Sequence, residues 1–156
     1  MEPILSVRDL SVYYYTEKGP VKAVDHVSID LQQGTRLGLV GESGCGKSTM
    51  AMALMRLIRP PGRIVAGQAI LDGVDIVKLT PEEMRRTRLS KIALIPQGAM
   101  NSLNPVVRVR DQIADGLLDH DTNLSKSQLE AQVAELLQSV DLDPRVANMF
   151  PHELSG

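Results

Sequence analysis

Eight consecutive residues, Gly41-Glu42-Ser43-Gly44-Cys45-Gly46-Lys47-Ser48, match the pattern G-x-x-x-x-G-K-[ST] in full and leave this chain few folds to choose from. Each residue type has a physical task. The glycines let the backbone curl until successive N–H groups converge on a small concavity that complements phosphate oxygens. An apolar stretch from Arg36 to Val40 runs into the loop and reads as a short buried strand. From Lys47 the pattern turns helical, so a helix N-terminus points at the same concavity with unpaired donors and partial positive charge. Lys47 is placed to bring a full charge to the β- and γ-phosphates. Ser48, with Thr49 beside it on the opening turn, offers a hydroxyl to a Mg²⁺ shared with the nucleotide. Cys45 fills an unconstrained position, either as a small filler or as a thiol made reactive by nearby positive charge. A strand, loop and helix around such a cradle specify an α/β nucleoside-triphosphate site. They do not say which class of NTPase carries it.

The segments around the loop limit the choice. Ile4 to Val7, Leu10 to Tyr15 and Val21 to Val24 have strand-like spacing about a turn at Glu17-Lys18-Gly19-Pro20, a β-hairpin, and Val27 to Leu31 alternates like a strand with one wet face. The helix after the loop is apolar almost all round from Met50 to Ile58, which predicts an enclosed helix ended by Pro60-Pro61-Gly62, its methionines either core packing or an adaptable binding face. Arg63 to Val77 reads as further β structure turning at Asp72-Gly73. Thr80 is placed to cap a short helix from Pro81 to Arg86, and Lys91 to Ile95 reads as a compact strand. After Pro105, Val109 to Leu118 and Ser127 to Val140 are helical in period, the second with a capping box at Ser127 and Glu130. A β-rich opening and a helical tail predict two lobes, 1–97 and 98–156.

Composition excludes other classes. With 43% apolar and 23% charged residues the chain of 156 residues is an ordinary globular sequence, and its net charge of −2 provides no field to draw it to nucleic acid. Cys45 is the single cysteine, so no intramolecular disulfide forms. No secretory signal is readable at Met1-Glu2-Pro3-Ile4, and the most apolar window, Met50 to Ile58, is too short to span a bilayer. These features predict a cytoplasmic location, with any membrane attachment made through a partner.

The whole chain resembles the ATP-binding subunits of ABC transporters, in particular the oligopeptide, dipeptide and nickel uptake group. Four features carry the resemblance, in the family's order. Within Asp9-Leu10-Ser11-Val12-Tyr13-Tyr14, Tyr14 falls where the family places an aromatic against adenine, although it is also readable as a plain strand aromatic. The phosphate loop follows. Ile95-Pro96-Gln97 matches the Q-loop, whose glutamine contacts Mg²⁺ and the attacking water, and Asn101-Ser102-Leu103-Asn104-Pro105 with Gln112-Ile113 is similar to the segment that peptide importers carry next. Pro151-His152-Glu153-Leu154-Ser155-Gly156 is similar to the flank and start of the signature LSGGQ, where Ser155 and Gly156 reach the ATP held by a second subunit; Ser155 is also readable as an ordinary helix cap.

The resemblance implies an α/β P-loop NTPase core, an antiparallel N-terminal β subdomain and a helical subdomain. It implies ATP and Mg²⁺ as cofactors, Lys47 and Gln97 as catalytic residues, Ser48 and Gln97 on the metal, and Gly41 to Thr49 with Tyr14, Ser155 and Gly156 on the nucleotide. The implied partners are a second ATP-binding subunit, transmembrane permease subunits and, indirectly, a solute-binding protein, at the inner face of the membrane. The family's Walker B aspartate, catalytic glutamate and switch histidine lie after the signature, past Gly156. The expectation is a stretch truncated within its signature motif, with little turnover alone and with Arg36 to Val40 lacking a ladder partner. A nonhydrolysing nucleotide-binding fragment is the second reading, and a small kinase or GTPase a third.

Overall fold

The structure, a computed structural model, describes residues 2–96, 98, 102–120 and 123–154. Alternating apolar and polar residues give two long strands, β1 (Leu5–Thr16) and β2 (Gly19–Leu31), which pair antiparallel from Leu5↔Leu31 to Thr16↔Gly19. The stretches that read as separate short strands are therefore halves of one hairpin. A bulge interrupts each half: Asp9 and His26 both take φ of 53°. Hydroxyls satisfy the freed amides, since Ser28 Oγ accepts from Asp9 N–H at 2.9 Å and Ser11 Oγ from His26 N–H at 3.0 Å. This is why Ser11 is buried without penalty.

β3 (Gly62–Leu71) pairs antiparallel with the other edge of β1, and β4 (Val74–Asp75) turns back on β3 about Asp72-Gly73. The sheet order is β2-β1-β3-β4. The core lies on one face of this sheet. Val7, Leu10 and Val12 of the central strand pack with Met50, Ala53 and Met84 from helices α1 (Lys47–Leu54) and α2 (Pro81–Thr87). Each of the valine, leucine and methionine side chains contributes about 1.5–3 kcal/mol when fully buried.

Helix α1 departs from expectation twice. It is buried on one face only, at Met50 and Ala53, while Met52 and Leu57 are exposed. It also stops well before the prolines. Arg56 takes φ of 51°, its N–H donates to Ala53 O at 2.9 Å, and Leu57 N–H donates to Met52 O at 2.8 Å. Those two bonds make a Schellman motif with arginine where glycine is usual. The Arg88 guanidinium adds donors to the same helix end, reaching Met55 O at 3.0 Å and Arg56 O at 3.3 Å. Helix α2 begins as expected, with Thr80 as its cap and Pro81 in its first turn, and Glu83 adds a reciprocal capping box not expected from the sequence.

Two expected strands are not strands. Arg36 to Val40 has no ladder partner and is exposed, with Val40 at 94%. Lys91 to Ile95 makes one bridge, Arg88↔Ile92, and Ile95 is 86% exposed. Both runs have the composition of strands covered on two faces. Among the described residues no strand lies beside either, so the backbone pairing that would order them is missing.

The chain divides into two compact units, Met1–Leu94 and Ile95–Gly156. The second unit contains α3 (Val109–Leu118) and α4 (Lys126–Ser139), followed by 3₁₀ turns at Pro144–Asn148 and Pro151–Glu153. Its own small core joins Val109, Val133 and Leu137 to Ile113, Leu117 and Val146. The capping box of α4 lies two residues earlier than expected, at Ser125 and Gln128 rather than Ser127 and Glu130. Ser125 has the extended backbone a cap requires, φ −68° and ψ 158°, whereas Ser127 already lies within the helix. Val133 and Leu137 are buried, while Leu136 and Val140 face solvent.

Candidate functional site

The loop from Gly41 to Ser48 leads directly into α1, and its curl is built on two left-handed glycines, Gly44 (φ 82°) and Gly46 (φ 97°). Gly46 is constrained a second time. A Cβ there would lie 2.1 Å from the carbonyl oxygen of Ala23, so the loop rests against the β2 backbone with no space for a side chain. At Gly41 a Cβ would lie 2.6 Å from Cys45 Sγ and 4.0 Å from Lys47 Nζ, inside the space the loop encloses. Glycine at 41 keeps the concavity open, and glycine at 46 lets the loop lie against β2.

Donors head this concavity. Gly46 is the residue before α1, no side chain caps the helix, and no acidic residue stands in its first turn. The first intrahelical bond is Met50 N–H to Gly46 O at 2.9 Å. The amides of Lys47, Ser48 and Thr49 thus have no partner within the helix, and they point where an anion would sit. The Lys47 ammonium folds back over the loop, donating to Gly41 O at 2.7 Å and Glu42 O at 2.6 Å, with Cys45 Sγ at 3.4 Å. Ser43, Cys45 and Ser48 are exposed. Glu42 thus takes part in the loop through its carbonyl. Charge, amides and hydroxyl converge on one rim, an arrangement suited to a polyphosphate.

Tyr14 lies on the same hairpin as Ala23, opposite Val21 on β2 and Gly62 on β3. It is half-buried, with one edge of its ring over Gly62. Its neighbours are engaged otherwise: Tyr13 Oη donates to Asp25, and the Arg63 guanidinium stacks 4.1 Å from the Tyr15 ring centroid. Gln97, Asn101, Ser155 and Gly156 lie outside the described residues. Gln112 holds the turn before α3: its Oε1 accepts from Asn104 N–H at 2.8 Å, and its Nε2 donates to Asn104 O at 3.1 Å and Val107 O at 2.9 Å. His152 stacks on Phe150 with ring centroids 5.7 Å apart.

The donor set suits Mg²⁺ in one way only. Among the described residues no group of three or more His, Cys, Asp or Glu is gathered to hold a metal. A cation here would rely on the Ser48 hydroxyl and on phosphate oxygens brought by the ligand, which is how Mg²⁺ binds with nucleotides. Sequence reasoning did not find Ala23 or Gly62. Ala23 acts through a backbone oxygen, which leaves no residue-type signal, and Gly62 after two prolines reads only as a helix terminator.

Comparison with known proteins places this geometry. The family model described as ABC transporter matches residues 24–156. The dipeptide transport ATP-binding protein DppD of Caldanaerobacter subterraneus is 38% identical over 100% of this chain and 48% of its own length. The oligopeptide transport ATP-binding protein OppD of Escherichia coli is 39% identical over 99% of this chain and 46% of its own length. The chain thus spans about half the length of these relatives. Among solved structures, the dimeric ABC transporter cassette MJ0796 superposes with a TM-score of 0.82 at 24% identity, covering 97% of this chain and 63% of the cassette. That likeness gives the fold: part of an ABC ATPase cassette, with the antiparallel N-terminal sheet followed by helices. A post-hydrolysis form of the same cassette, bound to ADP and Pi, superposes with a TM-score of 0.78. Phosphate loop, sheet and whole-length similarity agree, and the chain belongs to the ABC transporter family, among proteins similar to its peptide-transport ATP-binding subunits.

Proposed function

We propose that this chain forms the nucleotide-binding part of an ATP-hydrolysing motor subunit that energises uptake of peptides or a related solute. The observation that carries this is the phosphate loop: an uncapped helix N-terminus, two left-handed glycines and a lysine ammonium share one open rim. Residues 1–97 constitute the nucleotide-binding core and 98–156 the helical subdomain. Gly41 to Thr49 take the triphosphate, Tyr14 takes adenine, and Ser48 with Gln97 takes Mg²⁺. The metal, when bound, screens the phosphate charge during phosphoryl transfer. Lys47 exchanges its carbonyl partners for β- and γ-phosphate oxygens. Ser155 and Gly156 face the ATP of a second subunit.

The printed names of the relatives and the dimeric form of the cassette neighbour support the remaining assignments. These are permease subunits as partners, a second ATP-binding subunit, an indirect link to a solute-binding protein, and a place at the inner face of the membrane. No helix among the described residues is long and apolar enough to cross a membrane. A nonhydrolysing nucleotide-binding fragment is the second reading. It is favoured by the unpaired state of residues 36–40, immediately before the loop.

One experiment tests both. Mg–ATP affinity and steady-state phosphate release are measured for the chain and for its Lys47→Ala variant. Lys47→Ala is expected to weaken binding at least tenfold, about 1.4 kcal/mol. Unchanged affinity would sink the motor reading, and binding without phosphate release, both in this chain and in a form extended through the family's Walker B residues, would select the second.

A further inference from the structure

We infer that Gly62 is a positioning residue for the nucleobase, because its missing side chain sets where the Tyr14 ring lies. This rests on the proposed stacking of adenine on Tyr14. Gly62 is the first residue of β3, it is buried, and it pairs directly with Tyr14 across the ladder. A Cβ there would lie 2.6 Å from Cε1 and 2.8 Å from Cδ1 of Tyr14, and 2.9 Å from Cγ2 of Ile58. Unlike Gly44 and Gly46, Gly62 has no left-handed φ, so its backbone does not demand glycine. What demands it is the space taken by the ring. An aromatic that folds over a cross-strand glycine is held by dispersion along its edge, and Ile58 closes the far side of the same space.

The ring is the movable partner. Its atoms are the far end of a side chain with two rotatable bonds, whereas Gly62 is fixed by ladder pairing and by its N–H bond to Arg59 O at 2.9 Å. A methyl at position 62 therefore displaces the Tyr14 ring and leaves the sheet in place. Phosphate recognition lies elsewhere, on the loop held by Ala23, two positions along β2 from the partner of Tyr14. The displacement thus affects the base and spares the triphosphate. Other glycines of the site act through the backbone curl of the loop; Gly62 acts through an aromatic.

The test compares two ligands on the full chain, Mg–ATP and Mg–tripolyphosphate, which differ by the nucleoside. Gly62→Ala is expected to lower ATP affinity about fivefold or more, the scale of a lost base stack, and to leave tripolyphosphate affinity unchanged. Tyr14→Ala should do the same, and adding Gly62→Ala to it should cost nothing further. Ile58→Ala, which opens the space instead of filling it, should give a base-selective loss of the same sign and serves if Gly62→Ala does not fold. Equal losses on both ligands, or an unaltered ATP-to-tripolyphosphate ratio in Gly62→Ala or, if that variant does not fold, in Ile58→Ala, overturn the inference while leaving the phosphate reading intact. A parent chain that binds both ligands equally overturns the stacking on Tyr14 itself, and this inference with it. A parent that binds neither overturns the nucleotide reading first.

Discussion

At the phosphate loop, neighbouring glycines carry different constraints. Gly44 has φ of 82° and nothing within 4 Å of the place a Cβ would take, so Gly44→Ala costs only backbone strain, about 1–2 kcal/mol. Gly46 adds a steric conflict with the backbone oxygen of Ala23, which cannot rotate away. Gly46→Ala is therefore expected to destabilise the first unit by about 3 kcal/mol or more and to abolish triphosphate binding. Urea titration of both variants checks the order, and equal midpoints would contradict it. The lysine was legible because charge, glycine spacing and helix onset coincide in eight residues. Its resting partners were not, because Gly41 and Glu42 act through carbonyls that every residue possesses.

Helix boundaries show the same division between what residue types reveal and what backbone geometry decides. Thr80 and Pro81 announce α2 and are found in those roles. Two serines compete at the start of α4, and only the extended backbone of Ser125 selects it. Ser125→Ala is thus expected to cost about 1 kcal/mol of local stability and Ser127→Ala less than about 0.5 kcal/mol, measured by amide exchange along α4. Acid should act on α2. Hydrogen bonds from Arg85 and Arg86 hold the Glu82 carboxyl down to about 2, from an ordinary value of 4.5. The Thr80 amide and hydroxyl lower Glu83 as well. Since both folded values lie below the unfolded ones, their contribution is complete above about pH 4.5 and is lost as pH falls towards 2. Carbon chemical shifts of α2 between pH 6 and pH 2 should move towards coil over that window. A helix signal unchanged at pH 2 would contradict this.

Across the molecule, the hairpin and the helices α2, α3 and α4 were readable because half-buried strands and helices declare their faces by alternation or by a 3.6-residue period. The apolar runs that follow Arg36 and Lys91, at 37–40 and 92–95, declare no face, only a need for neighbours on both sides. Where neighbours are absent the runs lie open, and Leu37, Leu39, Val40 and Ile95 are exposed. Amides of 36–40 should exchange within seconds while those of Val7, Leu10 and Val12 report global unfolding. The same exposed apolar row should promote association as protein concentration rises. Leu39→Lys should suppress that association without lowering the melting midpoint, as light scattering and thermal unfolding would register. The contact between Gly46 and the Ala23 oxygen has a mechanical corollary. The phosphate loop rests on β2 at Ala23, where the pairing register with β1 shifts, so a twist of β2 is expected to alter the pitch of the loop amides at the proposed triphosphate site. Substitutions in the hairpin at a distance from the loop are thereby expected to change how tightly the proposed site grips a triphosphate tail.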